Sequence, residues 1–369
     1  MKVEAAVIGA FGQPFEVKPL DLATPNDDEI LVRLVAVGIC HSDVACQHGA
    51  FAPPLPIVLG HEGAGIVEQV GANITHVKRG DHVVLSYASC GGCARCELGQ
   101  PQYCSEFGVR NFKGFRSNGE PSFRQGEGDD AADVWGGFFG QSSFATFALS
   151  TARNTVKVAR HHYLEAMGPL GCGLQTGAGT VLNTLKPQPG DSIVIFGVGT
   201  VGMAAMMAAV ASDCGVVVAV DVHDGRLALA RELGATHAIR GDAPNLMQQL
   251  RAILPAGASF TVDTSGKAPS IRAAIDLLAQ CGTCAVLAVA PGTEVTFMPS
   301  MLLAGRRVIG VTEGDADPQE FIPRMIALHE AGRFPYDRLI KFYTLAEINE
   351  AIADMRSGAT IKSILRMQH

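Results

Sequence analysis

The run Gly197-Val198-Gly199-Thr200-Val201-Gly202 constrains this chain more than any other feature. A bare G-x-G-x-x-G says little. Here an apolar, strand-like stretch (192–196) precedes it and a helix-like stretch (201–211) follows. A second strand-like stretch (216–220) then ends at Asp221. Strand, glycine turn, helix and strand in that order form a βαβ unit, which belongs inside a doubly wound parallel sheet. The glycines allow a tight turn and the close approach of a pyrophosphate to the helix N-terminus. Asp221 can accept hydrogen bonds from an adenosine ribose and would repel a 2′-phosphate, so NAD is expected over NADP. Arg226 argues the other way, since a cation there could assist a phosphate, but the carboxylate should dominate. The alternation continues through 225–233, 260–263, 270–278 and 285–289.

The stretch 193–211 carries no charge and approaches the length of a membrane span. Asp191 and Asp213 bracket it and glycines interrupt its first half, so a buried strand, turn and helix are expected instead. The first fifteen residues lack the charged stretch and long apolar run of a secretory signal, and a cytoplasmic location is expected. A hydrophobic fraction of 47% with 18% charged residues argues against disorder. The net charge of -7, with no Lys/Arg stripe, gives no sign of a nucleic-acid partner. No membrane partner is expected either. At 369 residues the chain has room for two domains. Before about residue 148, short β-like runs (30–37, 65–70, 82–86) are split by Gly and Pro, as in a β-rich domain. The tail from about 317 has mixed texture and ends in a strand-like 361–367.

Ten cysteines in a large chain without signs of secretion point to metal rather than disulfides. Cys90, Cys93, Cys96 and Cys104 read C-x2-C-x2-C-x7-C. Four thiolates at that spacing can wrap a tetrahedral Zn2+ and leave no open position, so this zinc is expected to be structural. Alone, the lobe would also fit a zinc-ribbon binding module. Further ligand types lie in Cys40-His41-Ser42-Asp43, in Gly60-His61-Glu62-Gly63, and at Cys172 between two glycines. Each is weak singly; together they supply two thiolates and an imidazole.

These motifs, in this order over essentially the whole chain, resemble the zinc-containing medium-chain alcohol dehydrogenases. The resemblance implies an α/β protein with a β-rich, GroES-like catalytic domain (1–173 and 313–369) and a Rossmann cofactor domain (174–312). It implies two zinc ions per chain: a catalytic one on Cys40, His61 and Cys172, and a structural one on the four-cysteine lobe. Asp43 would orient His61, with Glu62 a second carboxylate beside the metal. Ser42 would hydrogen-bond the substrate hydroxyl and begin removal of its proton. His41 would lie near the cofactor pyrophosphate, and Lys362 in the terminal strand would supply a cation there. With Gly197, Gly199, Thr200, Val201, Gly202, Asp221 and Arg226 they complete the expected cofactor set. One position departs from the family. Many members end the proton relay with a histidine five residues after the first zinc ligand; here that residue is Ala45, with His48 nearby.

The stretch Gly137-Phe138-Phe139-Gly140-Gln141-Ser142-Ser143-Phe144-Ala145, with Glu313-Gly314-Asp315, looks like the aryl- and allylic-alcohol branch. The expected function is therefore reversible, NAD-linked oxidation of a primary aryl or allylic alcohol to its aldehyde. Phe138 and Phe139 read equally as ordinary core. Two other enzyme readings are a secondary-alcohol or polyol dehydrogenase, and a glutathione-dependent formaldehyde dehydrogenase, whose cationic mouth no segment clearly supplies. A zinc-stabilised nucleotide-binding protein without turnover would be favoured only if a catalytic ligand were missing. The polar, glycine-rich segment 108–137, which holds the sole tryptophan, Trp135, reads as a functional or mobile loop. Cys46, Cys214 and the pair Cys281 and Cys284 read as buried small residues. Family members commonly associate through the cofactor domain, often near 298–311, which implies a homodimer or homotetramer.

Overall fold

The computed structural model of the protein describes all residues except Glu127, Asp129, Asp130 and 289–291. The last residue of the expected strand 285–289, and three residues of the segment 108–137, thus lie outside the described residues. The chain forms two compact units. The first comprises Met1–Cys172, Asp317–Arg324 and Leu339–His369; the second comprises Gly173–Ala316 and Met325–Arg338. The expected division gave all of 313–369 to the first. Met325–Arg338 instead packs with the second, where Arg333 donates to the Ala211 carbonyl and Arg338 pairs with Glu232 at 2.8 Å.

The second unit is built on a parallel sheet of strands β1 (Ser192–Phe196), β2 (Val216–Asp221), β3 (His237–Arg240), β4 (Ala258–Asp263), β5 (Leu278–Val286) and β6 (Arg307–Gly310). Their spatial order is 3-2-1-4-5-6, and β1, in the middle, pairs with β2 on one side and β4 on the other. Strands covered on both faces must be apolar throughout, which is why Ile193, Val194 and Ile195 are fully buried. The helix Thr200–Ala211 leaves β1 through the glycine turn, and Met203 to Ala209 are all buried. The uncharged run 193–211 is thus a strand, a turn and a core helix. No helix among the described residues is long and apolar enough to cross a membrane.

The first unit holds two sheets. One runs in the order Ile57–Val58, Lys2–Ile8, Glu16–Leu22, Phe123–Gln125, Ala132–Val134. In the other, Glu29–Gly38 lies between Glu62–Val70 and Lys362–Arg366, so the terminal strand completes the centre of a sheet begun near residue 29. The segment 108–137 is not a structureless loop. The helix Phe107–Phe112 borders it, and it contributes two short strands to the edge of the first sheet. Arg116 pins it down: the guanidinium is buried, donates to Glu29 Oε1 at 3.0 Å and to the Thr24 carbonyl at 3.1 Å, and forms an ion pair with Glu29. A buried guanidinium needs such partners, since an unpaired one would cost several kcal/mol.

Candidate metal centre and cofactor site

Cys40 follows the strand Glu29–Gly38 and N-caps the helix His41–Gln47. Asp43 in its first turn is fully buried and organises the neighbourhood. Its Oδ2 accepts the Cys40 N–H at 2.9 Å, and its Oδ1 accepts the Gly60 N–H at 3.1 Å and the His61 Nδ1–H at 2.8 Å. Gly60 has φ +91° and its Cα faces the Phe144 backbone; a Cβ there would lie 2.5 Å from the Phe144 nitrogen. The sharp turn at this glycine aims His61 inward. With Nδ1–H donated to Asp43, His61 presents Nε2 as a lone pair. That nitrogen is buried and has no hydrogen-bond partner among the described residues.

Cys172, at the end of the turn Gly168–Gly171, closes the cluster. One ligand atom from each of Cys40, His61, Glu62 and Cys172 lies within 4.8 Å of the others. The Cys40 thiol is held well below its ordinary pKa by its hydrogen bond with Cys172, against the cost of burial. Burial opposes charge on His61, but the Asp43 carboxylate outweighs it and lifts the imidazole pKa. Two sulfurs, one of them disposed toward thiolate, and an orphaned buried imidazole nitrogen fit a zinc ion with room for one further ligand. The structure thus brings together the three residues expected to ligate the catalytic metal.

Lys362, expected to supply a cation near the pyrophosphate, lies beside the metal cluster. It is 2% exposed, donates to the Ile39 carbonyl at 2.8 Å and forms an ion pair with Glu62. Burial raises the Glu62 pKa, and the Lys362 ammonium pulls it back. The lysine is thus the counter-ion of the carboxylate beside the metal cluster. Ser42 lies with its Oγ 3.9 Å from Cys40 Sγ, whereas His41 is exposed at the start of the helix. His48 is exposed and its Nδ1–H donates to the Val44 carbonyl at 2.8 Å. Phe139 stacks on the His61 ring at 4.2 Å with planes 19° apart, and Phe138 meets its edge at 5.5 Å. Phe112 packs edge-on against Phe139 and stacks on Phe51 at 4.0 Å. The Phe138-Phe139 pair is therefore buried core and, at the same time, an aromatic wall of the metal cluster.

The four cysteines of the lobe converge in the same way, with ligand atoms within 4.8 Å of one another. Sγ separations of 3.9 Å (Cys90–Cys96) and 4.0 Å (Cys93–Cys104) are far beyond the roughly 2.05 Å of a disulfide. They match the edge of about 3.8 Å expected for sulfurs 2.3 Å from a tetrahedral zinc. Backbone N–H groups of Cys90 and Glu106 point at Cys104 Sγ, and that of Ser105 points at Cys93 Sγ. The Ser105 N–H draws the Cys93 thiol down to about 5, as a metal-binding thiolate requires.

In the second unit the glycine turn leaves the C-terminal end of β1, where the strand order reverses. That crevice is the usual ligand position in open parallel sheets. Gly202 is pressed onto the strand: a Cβ there would lie 1.9 Å from the Gly197 carbonyl oxygen. At Gly199 the space is open apart from Arg226, 3.8 Å away, so the turn leaves room for a ligand. Thr200 and Val201 open the helix, half-buried. Asp221 closes β2 and is fixed by two backbone donors, Val198 N–H at 2.8 Å and His223 N–H at 3.0 Å. Arg226 stands 3.8 Å from Asp221, with its Nε buried and without a partner among the described residues. Sequence reasoning missed Thr264, whose hydroxyl donates to the Gly197 carbonyl at 2.8 Å and braces the turn from the end of β4. No local pattern marks that residue; only the pairing of β4 beside β1 brings it there.

Comparison with known proteins agrees with this geometry. The alcohol dehydrogenase GroES-like domain family matches residues 26–160, and the zinc-binding dehydrogenase family matches residues 200–330. Geraniol dehydrogenase of Castellaniella defragrans is 42% identical over 99% of this chain and 98% of its own. Two crystal structures cover the whole of both chains. That of an alcohol dehydrogenase zinc-binding domain protein from Burkholderia ambifaria has a TM-score of 0.97 at 44% identity. That of benzyl alcohol dehydrogenase from Acinetobacter calcoaceticus has a TM-score of 0.95 at 42% identity. This chain belongs to the zinc-containing medium-chain alcohol dehydrogenase family, and it is an NAD-dependent enzyme of that family.

Proposed function

We propose that the protein oxidises primary aryl or allylic alcohols to aldehydes, reversibly, with NAD. The observation that carries the reading is the cluster of half-buried Cys40 with buried His61 and Cys172, lying against the Phe138-Phe139 wall, because a flat apolar alcohol suits an aromatic surface next to a metal. Geraniol and benzyl alcohol, for which two of the relatives are named, are both of this kind.

In this reading Cys40, His61 and Cys172 hold a catalytic zinc and the four-cysteine lobe holds a structural one. Zinc at the first site supplies Lewis acidity that lowers the pKa of an alcohol oxygen. NAD supplies the hydride acceptor. Asp43 keeps His61 in the ligating tautomer. Ser42 Oγ would accept the alcohol's proton while passing its own hydroxyl proton outward. The position five residues after Cys40 is Ala45, which has no titratable group, so the proton passes outward from Ser42 by another route. Glu62, neutralised by Lys362, keeps negative charge at the cluster from growing. The glycine turn, Thr200, Val201 and Arg226 offer a pyrophosphate site within the second unit. We place the zinc sites in the first unit and NAD in the second, close to the bounds 1–173 with 313–369 and 174–312. A homodimer or homotetramer formed near 298–311 is supported by β6 ending its sheet, beside exposed Met298 and Leu303. A cytoplasmic location is supported by the ten cysteines, none of which is paired in a disulfide.

The experiment is formation of NADH at 340 nm with benzyl alcohol, geraniol, ethanol and S-hydroxymethylglutathione, each with NAD or NADP. Turnover of benzyl alcohol or geraniol with NAD is the expected result. Preference for the glutathione adduct would overturn the substrate assignment.

Asp221→Ser is expected to weaken NAD binding by about 10- to 100-fold, the loss of charge-assisted hydrogen bonds to the ribose. NADP binding should weaken less or improve, because Arg226 then faces the 2′-position alone. Titration of nucleotide binding by protein fluorescence checks this, and unchanged discrimination would rule Asp221 out as the selector.

A further inference from the structure

His61 and Cys172 come from segments far apart in the chain, and no covalent link sets their spacing. One buried amide ties them together. Gln141 is 2% exposed. Its Nε2 donates to the His61 carbonyl at 3.0 Å and to the Ser86 carbonyl at 3.0 Å. Its Oε1 accepts the Gly63 N–H at 3.2 Å and the Ser143 hydroxyl. Ser86, fully buried, carries the link onward: its Oγ donates to the Gly171 carbonyl at 2.6 Å, one residue before Cys172. An unbroken chain of hydrogen bonds thus runs from the backbone of one metal ligand, through Gln141 and Ser86, to the neighbour of another.

All four hydrogen-bonding positions of the Gln141 amide are used. Rotating or shifting it would strand several buried polar groups at once, each at a cost of about 1–3 kcal/mol. The amide therefore has one low-energy position, and the backbone from the His61 carbonyl to the Gly63 N–H is held to it. The geometry points to Gln141, acting through Ser86, as a positioning residue that fixes the distance between His61 and Cys172 and so sets how firmly zinc is held. This rests on the reading of the cluster as a zinc site.

The test is the rate of zinc release from the zinc-loaded full chain into a chromogenic chelator, 4-(2-pyridylazo)resorcinol, followed beside the melting temperature. Gln141→Met keeps the length of the side chain and removes all four bonds. It should release one of the two zinc equivalents on the order of 10-fold or more faster, as expected when a partner behind a metal ligand is lost, with the other equivalent unchanged. Ser86→Ala should accelerate the same equivalent by a smaller factor, and it carries the test should Gln141→Met fail to fold. Asn349→Leu breaks a comparable pair of bonds, to the Phe15 N–H and carbonyl, away from the cluster in the same unit. It should lower the melting temperature without changing release. Wild-type release of both equivalents from Gln141→Met or Ser86→Ala, with a lowered melting temperature, would reduce these residues to structural ones and overturn the inference. A wild-type chain that binds only one zinc would instead overturn the reading of the cluster itself, and this inference with it.

Discussion

Cys40→Ser is expected to leave one zinc per chain and to cut kcat/KM for benzyl alcohol by about 10³- to 10⁵-fold, the equivalent of the several kcal/mol a Lewis acid supplies. Cys40 is the most informative ligand to replace because of where it sits. It N-caps the helix His41–Gln47, and serine is a better N-cap than cysteine, so the fold should survive. The Cys40 N–H that Asp43 accepts is a backbone group and is retained. What is lost is a soft thiolate whose pKa the site already depresses; a serine hydroxyl stays protonated near neutral pH and ligates zinc poorly. Zinc by elemental analysis, a melting curve and steady-state kinetics on one preparation check the result. Two zincs per chain with activity within tenfold of the wild type would mean that Cys40 is not a ligand.

The second large effect is expected at the other metal site and on stability rather than turnover. Cys104→Ala should remove one zinc and lower the melting temperature by about 10 °C, a few kcal/mol in a protein of this size. The lobe has little else to hold it. Its helix Ala94–Glu97 is four residues long, Leu98 is 69% exposed, and the inward N–H groups of Cys90, Ser105 and Glu106 point at sulfur. Burial pushes the free Cys104 thiol up to about 12, so without metal the site would be a set of mismatched thiols. Calorimetry beside zinc analysis reads the effect, and limited proteolysis should open the chain within 90–104. An unchanged melting temperature after loss of the zinc would show that the lobe folds without it.

What was legible in the sequence was chemistry carried by short-range spacing. The four cysteines, the Cys40-to-Asp43 turn and the glycine fingerprint each act within a few residues, so their geometry is implicit in the local chain. The partner of Lys362 was not legible, because Glu62 lies 300 residues away and meets it only when the terminal strand pairs with Glu29–Gly38. The same holds for Arg116 and Glu29, whose pairing turns an apparently loose polar segment into the rim of a sheet. The strands Phe123–Gln125 and Ala132–Val134 have three residues each, too few for an alternation of polar and apolar side chains to show. Gln141 and Thr264 make their bonds across 80 and 67 residues, and no periodicity marks either one.

The position of the strand Lys362–Arg366, inside the sheet begun at Glu29–Gly38, has a consequence for biosynthesis. The ribosome must make the whole second unit before it makes this strand. Until then the nascent first unit carries a gap at the middle of its sheet, and Glu62 lacks its ammonium partner. The cysteine lobe draws all its ligands from 90–104 and can take up metal as it emerges. Cys40, His61 and Cys172 are also translated by mid-chain, but their surroundings close only at the end. On the proposed assignment of the two sites, the lobe's ligand set is therefore complete early in translation, whereas the surroundings of the Cys40, His61 and Cys172 cluster are complete only once the terminal strand has been made.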